Sequence, residues 1–411
     1  SESDNSEVLL MVERDGEWVE AGRAEIVFPG YTARFRVEDF DDSEDVAYKI
    51  VYEFSDGGGE AERCSYGGTI RKNPVDKEII RVAGFTGNHN VRSKWEYRFG
   101  SKGYSWSEES LWFPHADLYG KVEQHEPDLL FFSGDQVYEA ASPTFADYKH
   151  IYLDYMYKWY LWCWSVKDLS RDIPTISIPD DHDVYQGNLW GQGGRKIDDE
   201  NKGGYVREVE FVKMVERTQT SNLPDAYDPE PIKRGIGVYY TDMNWGGISF
   251  SILEDRKFKT GMKSEQAERG DPLDLELLGD RQLNFLREWS QDWSASAKMK
   301  CTLSQTIFAC LHTGTIWGGP ELLKNRRSPS IDRDSNGWPT WGRNKALREI
   351  RKGFSFMLAG DQHLGSIIHH GIEEHNDSGW SFCVPSIANF FPRAWRPKEK
   401  GGNHVPGMPH Y

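Results

Sequence analysis

Three short apolar runs along the chain each break off into a cluster of polar residues. Leu129-Leu130-Phe131-Phe132 runs into Ser133-Gly134-Asp135, Ile176-Ser177-Ile178 into Asp180-Asp181-His182-Asp183, and Phe354-Ser355-Phe356-Met357-Leu358 into Gly360-Asp361-Gln362-His363. A brief apolar run that stops at Gly or Asp predicts a buried strand delivering its last side chains to a sheet edge, where open α/β sheets place their ligands. The first 78 residues have another rhythm. Tyr48, Ile50, Tyr52 and Phe54 alternate with Lys49, Val51, Glu53 and Ser55, and Ala33, Phe35 and Val37 alternate in the same way. That is the period of a half-buried strand, and Asp56-Gly57-Gly58-Gly59 is turn chemistry, so a small β-sandwich is predicted over 1–78. After Lys72-Asn73-Pro74 the pattern becomes strand, loop, helix, strand: 79–83, a helix over 116–125, then 129–132. Residues 79–411 therefore read as one α/β domain.

Inside that domain Tyr148, Tyr152, Tyr155, Trp159 and Trp162 recur at helical spacing. They form either a core helix packed on the sheet or an aromatic platform for a sugar or lipid. Gly279-Asp280-Arg281 opens a second amphipathic helix through Leu283, Leu286, Trp289 and Trp293, and 300–309 reads as a strand. Glycine and proline punctuate 187–204, 312–340 and 391–409, the long loops that shape pockets at a sheet edge.

The 411 residues carry a formal charge of −16, which disfavours nucleic acid or an anionic membrane as partner. No apolar stretch approaches the twenty or so residues of a membrane span, and Ser1-Glu2-Ser3-Asp4 has neither a basic nor an apolar leader region. The chain is cytoplasmic or has lost a signal. Five widely spaced cysteines, an odd number, form neither a disulfide framework nor a CxxC metal site and leave the redox compartment undecided. Oligomeric state is not legible.

Chemistry concentrates in the three polar clusters. A carboxylate such as Asp135 can bridge two cations, and a phenolate such as Tyr138 suits a hard trivalent metal; a lone Gly-Asp is otherwise a turn. Three acids and an imidazole at 180–183 are not explained by packing, because buried carboxylates need compensating charge, and a cation supplies it. Asp361 and His363, two apart, project to one side of an extended segment and reach one metal pair. Asp332-Arg333-Asp334-Ser335-Asn336-Gly337 copies the first half of an EF-hand loop, but Arg343 stands where the bidentate Glu belongs, and a solvent turn is the other reading.

These segments, in this order, resemble the alkaline phosphatase D branch of the calcineurin-like metallophosphoesterases. The matching segments are Gly134 to Glu139, Asp180 to Asp183, Leu253-Glu254-Asp255-Arg256, the helix from Leu283, Met299-Lys300-Cys301-Thr302-Leu303-Ser304-Gln305, Gly360 to His363 and the closing Val384-Pro385-Ser386-Ile387. The resemblance implies a four-layer α/β/β/α metallophosphoesterase domain behind an N-terminal β-sandwich, with a dinuclear centre held by Asp135, Tyr138, Asp181, Asp361 and His363. It implies hydrolysis of a small phosphate ester, mono or di, by a metal-bound hydroxide, with His182 protonating the leaving group and Asp183 orienting it. Asn188 matches a metal or phosphate contact. Arg256 matches a buried arginine that either faces substrate or makes a structural ion pair. His312 lies near a further family histidine, with Gln305 competing for the alignment. The family often binds ferric iron through a cysteine, and Gly87 stands at that position here, with Asn88 or His89 left to fill the corner. Two divalent or trivalent ions are expected, with calcium, magnesium, manganese or zinc favoured over iron. A periplasmic or extracellular location also follows from the resemblance. A non-catalytic metal-organised binding protein and a sulfate-ester hydrolase are the alternatives.

Overall fold

The computed structural model describes residues 7–54, 62–90, 115–140, 142–294, 297–310, 312–315, 333–334, 337–388 and 393–396. The elements run β1 (Glu7–Arg14), β2 (Glu17–Glu25), β3 (Val46–Phe54), β4 (Glu62–Ile70), β5 (Val82–Asn88), α1 (Ala116–Glu123), β6 (Leu129–Phe132), α2 (Ile151–Ser170), β7 (Thr175–Ser177), α3 (Val209–Thr220), β8 (Thr241–Trp245) and β9 (Ile248–Ile252). They continue with α4 (Glu265–Arg269), α5 (Gly279–Gln291), β10 (Met299–Thr306), β11 (Gly314–Thr315), α6 (Thr340–Lys352), β12 (Phe356–Gly360), β13 (Ser366–His369), β14 (Trp380–Cys383), β15 (Ser386–Ala388) and β16 (Arg393–Ala394).

The N-terminal strands form an antiparallel sheet in the order β2-β1-β3-β4. Leu10, Val12 and Val46 are its core, and Phe35, Val37 and Phe40 pack over them. Residues 33–37 alternate in exposure as the sequence predicts, yet they pair with no ladder. Alternation reports which side chains face a core, and an extended cover satisfies it as well as a strand does. The expected turn at 56–59 lies outside the described residues. The sheet is pinned to the end of α2, where Thr69 N donates to Asp172 Oδ1 (2.8 Å) and Tyr48 Oη to Arg171 O (2.8 Å).

Two further sheets follow. One is parallel, β15-β5-β6-β7; the other is β13-β14-β12-β10-β9-β8, antiparallel at its two edge pairs and parallel between them. They face each other across Leu129, Phe131, Ile176, Ile178, Phe250, Ile252, Cys301 and Leu303. Leu130 and Phe132 point the other way, into the layer of α2 and α3, while Met357 and Ala359 meet α5 and α6. Strands that are buried on both faces read as continuous apolar runs, which is why β6 is legible in the sequence. The result is the α/β/β/α stack that the resemblance implied. No helix among the described residues is long and apolar enough to cross a membrane.

The aromatic series proves to be core. Tyr155, Trp159 and Trp162 are buried on α2 against Phe132 and Phe211, whereas Tyr148 precedes the helix and is half exposed. The helix opened by Gly279 ends at Gln291, short of the exposed Trp293. The third apolar run starts later than its residues suggest: Phe354 is 88% exposed in a turn, and the strand begins at Phe356.

Candidate metal centre

β5, β6, β7 and β12 end at one place. Gly360 lets the second sheet close on the first, because a Cβ there would sit 2.1 Å from Ser133 Oγ and 2.5 Å from Thr86 Oγ1. Gly134 does the same between β6 and β7: its φ is +124°, and a Cβ would lie 2.3 Å from Asp180 Cβ. Gly134→Ala is therefore expected to cost about 2 to 4 kcal/mol, combining a disfavoured backbone with a clash against fixed atoms. Urea unfolding measures it, and an unchanged midpoint would contradict the assignment.

Beyond these glycines the chain turns through left-handed backbone at Asp135 (φ 60°), Asp361 (φ 70°) and His363 (φ 57°). Asp361 and His363 are thus brought in by a turn rather than by an extended segment, and they reach different ends of the cluster. His363 Nε2 lies 3.7 Å from Asp135 Oδ2 and 3.3 Å from Tyr138 Oη, which itself donates to Asp135 Oδ2 (2.7 Å). Asp361 Oδ1 accepts from Arg256 Nη2 (2.6 Å).

Asp183 does not orient His182. Its carboxylate accepts from the backbone N–H groups of Asp135 (2.7 Å), Val137 (2.9 Å) and Asp180 (2.8 Å) and from Gln219 Nε2 (2.9 Å). Burial and the Asp135 charge push its pKa up to about 7 against those donors. It is a clamp joining the loops after β6 and β7. His182 Nδ1 is paired instead with Glu139 Oε2 (2.8 Å), a residue to which the sequence pattern assigns no role. Burial works against the imidazolium, but Glu139, Asp181 and Asp135 hold its pKa well above the ordinary value. The side chain stays 21% exposed.

Arg256 is 2% exposed and committed to carboxylates. Nε donates to Asp180 Oδ1 (2.5 Å), Nη1 to Asp334 Oδ1 (2.5 Å) and Nη2 to Asp361 Oδ1, with Asp181 Oδ1 3.6 Å away. A guanidinium with its donors spent in this way is a structural ion pair and not a substrate contact. Asp334, from the EF-hand-like run, is part of this buried network rather than of a solvent turn.

Asn88 and Asn188 are also turned to other tasks. Asn88 Oδ1 accepts from Tyr119 Oη (3.1 Å), and Nδ2 approaches Gln136 O (3.5 Å), so the carboxamide braces the loop after β6. Asn188 Nδ2 donates to Glu200 (3.4 Å). His89 packs edge-on against Tyr138 and bonds Ala140 O, and burial lowers its pKa to about 3, a neutral imidazole. His312 is buried just before β11 and belongs to neither of the ligand groups described next. Gln305 accepts from Asp255 N (3.1 Å), a core role.

Two groups of donor atoms remain. Asp135, Asp181 and His182 each offer one within 4.8 Å of the others, and so do Asp180, Asp181 and Asp361. Asp181 is common to both, whereas the sequence pattern points to Asp135 as the shared carboxylate. Asp135 Oδ1 and Asp180 Oδ2 are buried without a hydrogen-bond partner. Burial drives the pKa values of Asp180 and Asp181 well above the carboxylate range, with other carboxylates adding to the effect and Arg256 opposing it. Orphaned buried carboxylate oxygens with hard donors around them are compatible with a divalent cation. At Gly87 (φ +61°) an added Cβ would lie 2.5 Å from Ser386 Cβ and 3.3 Å from His363 Nε2, so position 87 faces the cluster but is built for glycine.

Comparisons with known proteins bear on the fold and the family. No curated protein matches the sequence. Among solved structures, one titled "Structure of PhoD" superposes with a TM-score of 0.60 at 17% identity, covering 94% of this chain and 71% of that one. The purple acid phosphatase PPD1 from yellow lupin (Lupinus luteus) seeds gives 0.52 at 12% identity, covering 93% and 60%. Both are similar in fold. The model of the PhoD-like phosphatase family matches residues 103–400, and the chain belongs to that family.

Proposed function

We propose that the chain is a metal-dependent hydrolase of phosphate mono- or diesters working at a two-cation centre, with 1–78 as an accessory unit and 79–411 as the catalytic one. The observation that carries the reading is an excess of buried negative charge. Asp180, Asp181, Asp334 and Asp361 gather around one guanidinium, Arg256, and Asp135 adjoins Asp181; against these five acids stand Arg256, the Lys259 ammonium bonded to Asp334 O and the His182 imidazolium. Such a set must take up cations or protons to stay buried.

Asp135 and Asp181 with Asp180, Asp361, His363 and Tyr138 would hold the cations. A bound cation stabilises charge on a phosphoryl oxygen and makes water acidic enough to react near neutral pH. The chain's own part is geometric and protonic. Glu139 fixes the His182 ring through Nδ1, so that His182 keeps a proton available for the leaving oxygen at the partly exposed end of the group. Asp183 fixes the loop. A second reading is favoured by one observation: His182 lies within ligand distance of Asp135 and Asp181, so it can itself bind metal with Glu139 behind it, as metal-bound histidines usually are. Redox-inert ions are favoured because position 87 supplies no thiolate. A setting outside the cytoplasm is inferred from the family resemblance alone.

Elemental analysis combined with turnover of aryl phosphate mono-, di- and sulfate esters tests the proposal. Chelation is expected to abolish phosphate-ester hydrolysis, readdition of a divalent ion to restore it, and the active protein to be colourless. Full activity in verified metal-free protein would overturn the hydrolytic reading. Turnover of the sulfate ester alone would move it to that class, and an intense visible band lost on Tyr138→Phe would overturn the choice of metal.

A further inference from the structure

Two of the buried cysteines meet directly behind the Asp361 turn. Cys310 follows β10 and is fully buried, and Cys383 ends β14 and is 5% exposed. In the sheet, β12 lies between those two strands. Their side chains nonetheless converge on Ser366, across the end of β12. Ser366 is the cross-strand partner of Cys383, and its Oγ donates to Cys310 Sγ at 3.6 Å. Cys383 Sγ lies 3.7 Å from the carbonyl of Gly360, the residue before Asp361.

We propose that Cys310 and Cys383 form an intramolecular disulfide, a covalent strap over the end of β12. With a peroxide as oxidant, the Cys310 sulfur attacks one peroxide oxygen. The O–O bond breaks, water leaves, and Cys310 becomes a sulfenic acid. The Cys383 sulfur then attacks the Cys310 sulfur, the S–O bond breaks, and the hydroxyl departs as a second water with the Cys383 proton. Two thiols lose two electrons and one peroxide becomes two waters. Cys310 is the better first nucleophile. Ser366 O–H donates to its sulfur and Arg393 lends a positive charge, and both favour its thiolate against burial. A small oxidant suits so enclosed a pair. Closing the bond draws the sulfurs together to about 2.05 Å, a movement delivered next to Gly360.

The test is peptide mapping of the folded, metal-loaded protein after peroxide treatment, on a Cys64→Ser background that removes the exposed thiol. The expected result is a cross-linked peptide joining Cys310 and Cys383, loss of two alkylatable thiols, their recovery with dithiothreitol, and a melting temperature raised by a few degrees. Cys310→Ser and Cys383→Ser should each abolish the cross-link. If either variant fails to fold, the map of the parent protein still decides. Recovery of both cysteines as free thiols at a dose that oxidises Cys64 in the unmodified chain, or as sulfinic acids without the cross-link, would overturn the proposal. Neither outcome bears on hydrolysis.

Discussion

Replacing His182 with alanine is expected to lower kcat for an alkyl phosphate ester by about two to four decades, while metal content and KM stay near those of the parent. His182 is the partly exposed member of its group and is held against Glu139 at 2.8 Å, in a field of carboxylates that keeps the ring protonated. A group placed in this way acts on the leaving oxygen, and the loss should shrink with an activated aryl leaving group that needs no proton. Glu139→Gln should give a smaller loss of the same kind, since the amide still reaches Nδ1 but no longer supplies charge. Parental turnover of the alkyl ester by His182→Ala would remove the residue from catalysis. Loss of about one metal equivalent per chain would make it a ligand instead.

Asp181→Asn should behave differently. Asp181 supplies a donor to both groups, so exchanging one of its oxygens for an amide nitrogen removes one donor oxygen and the negative charge that both groups share. Metal affinity is expected to fall by on the order of a hundredfold or more, with activity lost in step and partly regained at high metal concentration. Burial already raises the pKa of this carboxyl, so the neutral amide should be tolerated by the fold and the melting temperature of the metal-free protein should change little. Full metal content in an inactive Asp181→Asn protein would show that Asp181 acts on substrate and not on metal.

Much of this site was visible in the sequence because buried parallel strands leave a distinctive trace. The apolar runs before Ser133, Asp180 and Gly360 located three of the four strand ends that meet, and the polar residues after them are the ones that converge. The resemblance supplied the layer order. What sequence could not supply was pairing at the level of single atoms. Neither Glu139 nor Asp183 carries a local signal saying which of them reaches the His182 ring, since that depends on a clamp from Asp183 to backbone 46 and 48 residues earlier in the chain. Arg256 has the same ambiguity: a motif arginine faces substrate or its own carboxylates according to burial, and here it is buried. Asp361 and His363 were expected on extended backbone because spacing of two suggests it, whereas left-handed turn residues place them. Phe35 and Val37 show the limit of periodicity, which identifies a covered face and not its hydrogen-bond partners.

The Asp183 clamp also bears on how new specificities arise on this scaffold. One carboxylate fixes the backbone at positions 135, 137 and 180, so the reactive constellation is inherited as a unit and is exposed to loss at a single codon. The long segment over 187–204 is tied to the site at its buried residues, where Leu189 N donates to Asp334 Oδ1 and Gly191 N to Arg256 O, whereas Asn188 bonds only Glu200 inside the same segment. Selection for a different ester can therefore vary exposed positions of that segment such as Lys196, Asp198 and Lys202 while leaving the chemistry intact, and libraries for directed evolution belong there rather than among the acids.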